Sequence, residues 1–145
     1  MREGGAFRAV DAVTVPVPDL DVGLDFYGRV LGHRLAWRND AVGQAGLRIA
    51  DGDSELVLTT RQGYEPNWLV DDVADTVDVF LYHGGELVQA PFDLPVGRAA
   101  VVRDPFGNPI VLVELSKGRY LTGPTGDVTG VRTPAPDPRS RPGRQ

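Results

Sequence analysis

The sequence contains no cysteine among its 145 residues. This absence excludes disulfide bonds, thiolate metal sites and a cysteine nucleophile. The chain also lacks any run of about 18 apolar residues that would span a membrane, and its start, MREGGAFRAVDAV, has no apolar segment of the signal-peptide type. We therefore expect a cytoplasmic protein without a membrane partner.

Positive charge is scarce over most of the chain. The formal net charge is -5, but residues 130–145 carry +3, from four arginines and one aspartate, which leaves -8 for residues 1–129. An acidic surface repels nucleic-acid phosphates and attracts cations. We therefore expect no nucleic-acid partner and a neutral or cationic ligand, although the acidity could equally serve solubility alone.

The end of the chain differs in composition from the rest. Residues 123–145 are rich in Pro, Gly and Arg and show no apolar periodicity. Such composition predicts an irregular or disordered tail, because it supplies little apolar surface to bury. The alternative is a tail held against the body of the protein or against a partner chain. The sequence therefore predicts a single domain over residues 1–122, followed by this tail.

An internal repeat organises the predicted domain. A shift of 53 residues places Asp19 on Asp72, and a shift of 54 places residues 56–58 on residues 110–112. In each copy an aspartate N-cap follows a strand and opens an amphipathic helix, and three further strands follow the helix. The sequence thus predicts two βαβββ modules.

The modules span about residues 8–62 and 63–120. Alternation in the first module places Val13 and Val15 on the face beneath the helix, and Thr14 on the opposite face. This second face mixes apolar and polar residues, as the wall of a ligand cavity does. An ordinary solvated sheet face remains the alternative.

Three segments together resemble a known superfamily: VPVPDLDVGLDFYGRVLGHRL, NWLVDDVADTVDVFLYHGGELV and VVRDPFGNPIVLVEL. They are similar to the vicinal oxygen chelate superfamily, the group of glyoxalases, bleomycin-resistance proteins and extradiol dioxygenases. The resemblance covers about residues 10–120. It implies an α+β fold in which paired βαβββ modules form a U-shaped mixed sheet around a cavity, usually in a homodimer.

Metal-dependent members of this superfamily hold a divalent ion at four positions. The resemblance carries these positions onto Ala12, Val57, Glu65 and Val111. Zinc and similar ions need several imidazole or carboxylate donors, and the methyl groups at three of the positions cannot donate. We therefore expect no bound metal and no cofactor.

The cavity-facing residues combine apolar walls with a few polar groups, which is typical of a small-molecule site. Trp37 is placed to stack on a flat ligand, and Glu55 and Glu65 to hold a cationic one. Alternatively, Trp37 packs at a dimer interface and Glu55 ends in solvent. Glu114 is predicted at an exposed strand exit. The expected ligand-binding residues are Thr14, Trp37, Glu55, Val57, Thr59, Glu65, Asn67, Leu69, Phe92, Val111 and Val113.

The leading functional hypothesis is a metal-independent protein that binds, and so sequesters, a toxic aromatic or cationic natural product. The resemblance to bleomycin-resistance proteins implies such a role in antibiotic resistance. The alternative is an isomerase, cyclase or lyase of the same superfamily, in which a desolvated Glu65 or Glu55 transfers a proton. A regulatory or structural module with a vestigial cavity is a third hypothesis.

Overall fold

The computed structural model describes residues 3–133. Strands dominate this part of the chain, and both helices lie where the repeat predicts them. Helix α1 (Leu20–Leu24) continues into a π-helical turn at Asp25–Val30, and α2 is Val73–Tyr82. The strands are β1 (Ala9–Pro16), β2 (Leu35–Asn39), β3 (Gln44–Arg48), β4 (Glu55–Thr59), β5 (Glu65–Leu69), β6 (Glu86–Leu94), β7 (Gly97–Arg103), β8 (Pro109–Glu114), β9 (Arg119–Thr122) and β10 (Val128–Arg132).

Both helices begin at the predicted aspartates. The carboxylate of Asp19 accepts a hydrogen bond from the Val22 amide at 3.1 Å, and that of Asp72 accepts one from the Asp75 amide at 2.8 Å. The first N–H groups of a helix have no acceptor within the helix, so these side chains fix where each helix starts.

The two modules share one sheet. Its strand order is β2-β3-β4-β1-β5-β8-β7-β6, so each module contributes four neighbouring strands. β1 and β5 pair antiparallel at the centre, whereas each pairs parallel with the closing strand of its own module, β4 or β8. This arrangement confirms the predicted α+β fold with paired βαβββ modules in a mixed sheet.

The helices cover one face of the sheet and build a core in each module. In module one, Leu20 of α1 packs on Leu47 and Leu58 of the sheet. In module two, Val73 of α2 packs on Leu112. The opposite face is therefore left for the site. No helix within residues 3–133 is long and apolar enough to cross a membrane.

Part of the predicted irregular tail is regular. Val128–Arg132 pairs antiparallel with Arg119–Thr122, so β9 and β10 form a hairpin. Gly126, at a φ of +86°, closes the connecting turn, and its carbonyl accepts a 2.8 Å hydrogen bond from the Arg38 amide of edge strand β2. Composition does not predict this hairpin, because the stability of the hairpin depends on packing against the sheet. The rest of the tail, residues 134–145, lies outside the described residues.

The predicted exposure of Glu114 is wrong. Its side chain is buried at 7% exposure, and its carboxylate accepts a 2.9 Å hydrogen bond from the Val73 amide at the start of α2. A buried carboxylate needs such a partner, and the first turn of a helix offers unpaired N–H groups. Glu114 therefore ties the end of β8 to the helix above it.

Candidate functional site

A cavity of about 720 Å³ lies on the sheet face opposite the helices. Ligand pockets for small molecules typically measure about 300 to 1,000 Å³. Both modules and the β9–β10 hairpin contribute side chains to the wall. Nine of the expected residues line it: Thr14, Trp37, Glu55, Val57, Glu65, Asn67, Phe92, Val111 and Val113.

Two expected residues, Thr59 and Leu69, do not line the cavity. Thr59 is fully buried at the end of β4, where its hydroxyl accepts hydrogen bonds from the amides of Arg61 and Gln62, each at 3.1 Å. Leu69 is the last residue of β5 and pairs with Ala9 at the start of β1. Strand alternation places Thr59 on the same face as Val57, and Leu69 on the same face as Asn67. It does not show how far along these strands the cavity extends.

Two rows of paired residues cross the sheet along the cavity, one in each module. The row of module one is Thr14, Val57, Gly46 and Trp37, on β1, β4, β3 and β2. The row of module two is Asn67, Val111, Val101 and Gln89, on β5, β8, β7 and β6. The two modules repeat the same strand order. Trp37, at the outer end of the first row, therefore corresponds to Gln89, at the outer end of the second row.

Trp37 is held on more than one side. Its indole lies directly over Gly46, where any side chain would collide with it, and the Tyr120 ring lies 5.0 Å away between centroids. The indole N–H donates a 2.9 Å hydrogen bond to the Glu55 carboxylate. With 8% of Trp37 exposed, the ring has little surface for stacking on a ligand. It instead fixes the position of the Glu55 carboxylate.

Asp11 is a cavity residue that strand alternation missed. The β1–β5 register shifts between Val10 and Ala12, so β1 carries one extra residue there. Asp11 and Ala12 consequently both line the cavity, since a bulge redirects side chains. Aspartate has a low propensity for strands, so Asp11 is unusual within the apolar strand β1. This unusual residue was the signal in the sequence for the bulge.

The two carboxylates of module one are poorly solvated. Burial raises the pKa of Glu55, the Trp37 hydrogen bond lowers it, and the nearby charge of Asp11 raises it. Burial also raises the pKa of Asp11, against the lowering effect of Arg119, whose guanidinium lies 3.9 Å from the carboxylate. This end of the cavity can therefore hold a cation or exchange a proton.

The other end of the cavity is apolar. Its floor consists of Ala99, Val111 and Val113, which form a buried cluster with Phe92 and Leu94 of β6 packed against it. All five of these residues line the cavity. The site thus combines an apolar wall in module two with a charged end in module one, where Asp11 and Glu55 lie near Arg119 and Arg48.

The sequence profile of the Glyoxalase/Bleomycin resistance protein/Dioxygenase superfamily matches residues 9–112. The chain belongs to this superfamily. The matched residues include both helices and β1 to β7, and they extend into β8. The β9–β10 hairpin, which contributes Tyr120 to the cavity, follows the matched region. No curated protein matches the sequence.

Solved structures of the superfamily fold resemble the chain at low sequence identity. Methylmalonyl-CoA epimerase from Mycobacterium tuberculosis is 22% identical with a TM-score of 0.61, over 79% of this chain and 92% of the epimerase. A variant of the Streptomyces coelicolor epimerase in complex with 2-nitronate-propionyl-CoA is 22% identical with a TM-score of 0.58, over 75% and 98%. A hypothetical protein from Bacillus halodurans is 17% identical with a TM-score of 0.59, over 73% and 93%. These similarities show a shared fold.

At the four positions that the resemblance assigns to the superfamily's metal ligands, this chain offers one donor side chain. Ala12, Val57 and Val111 are apolar, and only Glu65 offers a donor atom. Within residues 3–133, no group of three or more His, Cys, Asp or Glu side chains is arranged to hold a metal ion. The described part of the cavity wall offers carboxylate, guanidinium, amide and apolar side chains to a ligand.

Proposed function

We propose that the chain is a metal-independent small-molecule-binding protein of the superfamily. The observation that carries this proposal is a cavity of about 720 Å³ lined by Ala12, Val57 and Val111, three of the positions that the resemblance equates with the superfamily's metal ligands. A binding protein needs the cavity but not the ion. The size and mixed lining of the cavity both suit a compact organic ligand.

The lining favours an aromatic or amphipathic ligand that carries a cationic group. Val111 and Val113 supply an apolar wall, while Glu55 and Asp11 supply carboxylates at the other end, where Arg119 offsets part of the charge of Asp11. An ammonium group near two poorly solvated carboxylates gains more Coulomb energy than it would in water. Sequestration of a toxic natural product, and hence antibiotic resistance, is the role that such binding supports.

A thermal-shift screen with aromatic amine natural products, run with and without EDTA, tests the proposal. A ligand at 100 times its dissociation constant stabilises the native state by about 2.7 kcal/mol, and we expect EDTA to leave that stabilisation unchanged. Glu55→Gln should weaken a cationic hit selectively and spare a neutral compound of the same shape. Binding that requires an added divalent ion would contradict the proposal.

An enzyme is the second candidate, and Glu55 is the observation that favours it. A carboxylate whose pKa is raised by burial is suited to take a proton from carbon next to a carbonyl group. The similar epimerase structures make a proton-transfer isomerase the natural form of this candidate. Glu65 also lines the cavity and is the other possible acid or base.

Deuterium exchange separates the two candidates. If the chain is an isomerase of this type, methylmalonyl-CoA incubated with it in D₂O gains deuterium next to its thioester carbonyl, and Glu55→Gln or Glu65→Gln stops the exchange. A binding protein leaves the compound unlabelled. Mass spectrometry of the recovered thioester gives the answer.

A further inference from the structure

The module-one half of the cavity is partly filled by the chain itself. The Trp37 indole covers Gly46, and Tyr120 and Val128 of the hairpin pack against the buried cluster that contains Trp37 and Val57. The hairpin is fixed there by the hydrogen bond from the β2 backbone to its turn. The aromatic ring of Tyr120 and the branched side chain of Val128 thus occupy part of this half.

The module-two half has the same strand order and a different filling. Val101 stands where module one has Gly46, and Gln89 stands where module one has Trp37. Within residues 3–133, the apolar side chains packed on this floor come from β6 and β7 and from Leu115, directly after β8. No counterpart of the β9–β10 hairpin is among them.

We infer that the module-two half is the subsite for a planar apolar group of the ligand. The subsite is lined by Phe92, Val111 and Val113, and the aromatic side chain of Tyr120 occupies the equivalent place in module one. This inference rests on the proposed binding function. A ring in this subsite leaves the polar end of the ligand facing Glu55 across the cavity.

The hairpin then determines how many rings the cavity accepts. It follows the residues matched to the superfamily, 9–112, and it contributes Tyr120 to the site from outside that region. With Tyr120 in place, only one half can take a planar group. The chain should therefore bind one aromatic group, although its fold is a repeat with two equivalent halves.

Fluorescence titration with N-phenyl-1-naphthylamine tests the location of the subsite. This neutral probe brightens in apolar surroundings, so it reports the apolar half without involving the carboxylates. We expect one probe per chain, with affinity lowered about tenfold or more by Phe92→Ala. The matched control is Phe80→Ala, since Phe80 packs on the helix-covered core of module two; it should lower the melting temperature and leave the affinity unchanged.

A second variant tests the role of the hairpin. Tyr120→Ala should remove the ring that the hairpin places in the module-one half and raise the stoichiometry from one probe to two. Its control is Leu121→Ala, because Leu121 is the neighbouring β9 residue, is 42% exposed and does not line the cavity. That variant should still bind one probe.

The outcomes separate this inference from the proposed function. Stoichiometric binding that Phe92→Ala leaves unchanged overturns the assignment of the subsite and leaves the binding function standing. If Tyr120→Ala no longer binds the probe, the probe site lies at the hairpin. That result also overturns the assignment of the subsite and leaves the binding function standing. Absence of saturable binding to the unmodified chain overturns the binding function together with the inference.

Discussion

At the scale of single residues, both proposed functions depend most on Glu55. Its carboxylate lines the cavity, accepts the Trp37 indole N–H and lies near Asp11. Burial disfavours its charged form, so the pKa of Glu55 in the folded chain lies above its ordinary value of 4.5. The native state therefore binds this proton more tightly than the unfolded chain does.

The pH dependence of stability follows from that direction. The contribution of Glu55 to stability is fully present below pH 4.5 and is lost as the pH rises through the raised pKa. Glu55→Gln stays neutral and keeps an acceptor for Trp37. The variant should therefore become more stable relative to the unmodified chain as the pH rises from about 4.5. Urea unfolding of both proteins across this pH range measures the difference in the free energy of unfolding.

Comparing the variant with the unmodified chain cancels the titrations of groups that do not interact with Glu55. Hydrogen bonds lower the pKa of Asp25 and that of Asp104, and these groups contribute stability with the opposite pH dependence in both chains. A stability difference that stays constant from pH 4 to pH 8 would contradict the expected role of Glu55.

Glu114 gives a second prediction at this scale. Glu114→Ala leaves the Val73 amide without its acceptor in a buried place, and we expect a loss of about 1 to 3 kcal/mol in the free energy of unfolding. Glu114→Gln retains an acceptor oxygen and should cost less. Denaturant unfolding of the two variants measures the difference, and equal losses would argue against the hydrogen bond as the cause.

At the scale of elements, the contact between β3 and β2 depends on Gly46. A methyl group at Gly46 would collide with the Trp37 indole, so Gly46→Ala should displace the ring and break its hydrogen bond to Glu55. We expect a loss of about 1 to 3 kcal/mol, the usual cost of overpacking. A change in the near-ultraviolet circular dichroism of tryptophan should accompany it.

Gly63→Ala is the matched control for this substitution. A Cβ at Gly63 would meet no atom within 4 Å, and its φ lies outside the left-handed region. That variant should keep both the stability and the tryptophan signal. If Gly46→Ala behaves in the same way, Trp37 does not lie against the β3 backbone.

At the scale of the whole molecule, the missing donor side chains predict that removing divalent metal ions does not change the stability of the protein. Because Ala12, Val57 and Val111 cannot bind an ion, we expect EDTA to leave the melting temperature unchanged. Elemental analysis of the purified protein should find no stoichiometric divalent ion. About one tightly bound ion per chain would contradict both this expectation and the proposed function.

Assembly is the other prediction at this scale. The sheet ends at β2, where the hairpin turn covers part of the edge, and at β6, whose first five residues, 86–90, are exposed. Open edges and apolar surface favour association, and closed two-fold symmetry is the commonest outcome. We propose a homodimer. Light scattering at micromolar concentration should give twice the chain mass, and a monomeric mass would contradict the proposal.

Local patterns in the sequence determined the fold, and the expectation of missing metal donors rests on the same patterns. Asp19 and Asp72 mark helix starts because a helix N-terminus needs acceptors close by in sequence, and alternation assigns strand faces because side chains repeat every two residues. The same spacing places Val57 and Val111 at equivalent positions of the two modules. These features depend on neighbours along the chain, so the sequence by itself was sufficient.

Only the tertiary structure decided the filling of the cavity. The bulge that brings Asp11 into the site depends on how β1 pairs with β5, and the burial of Glu114 depends on α2 crossing β8. Tyr120 reaches Trp37 only because the hairpin folds back onto β2. Each of these contacts joins residues far apart in sequence, and periodicity and composition carry no information about such distances.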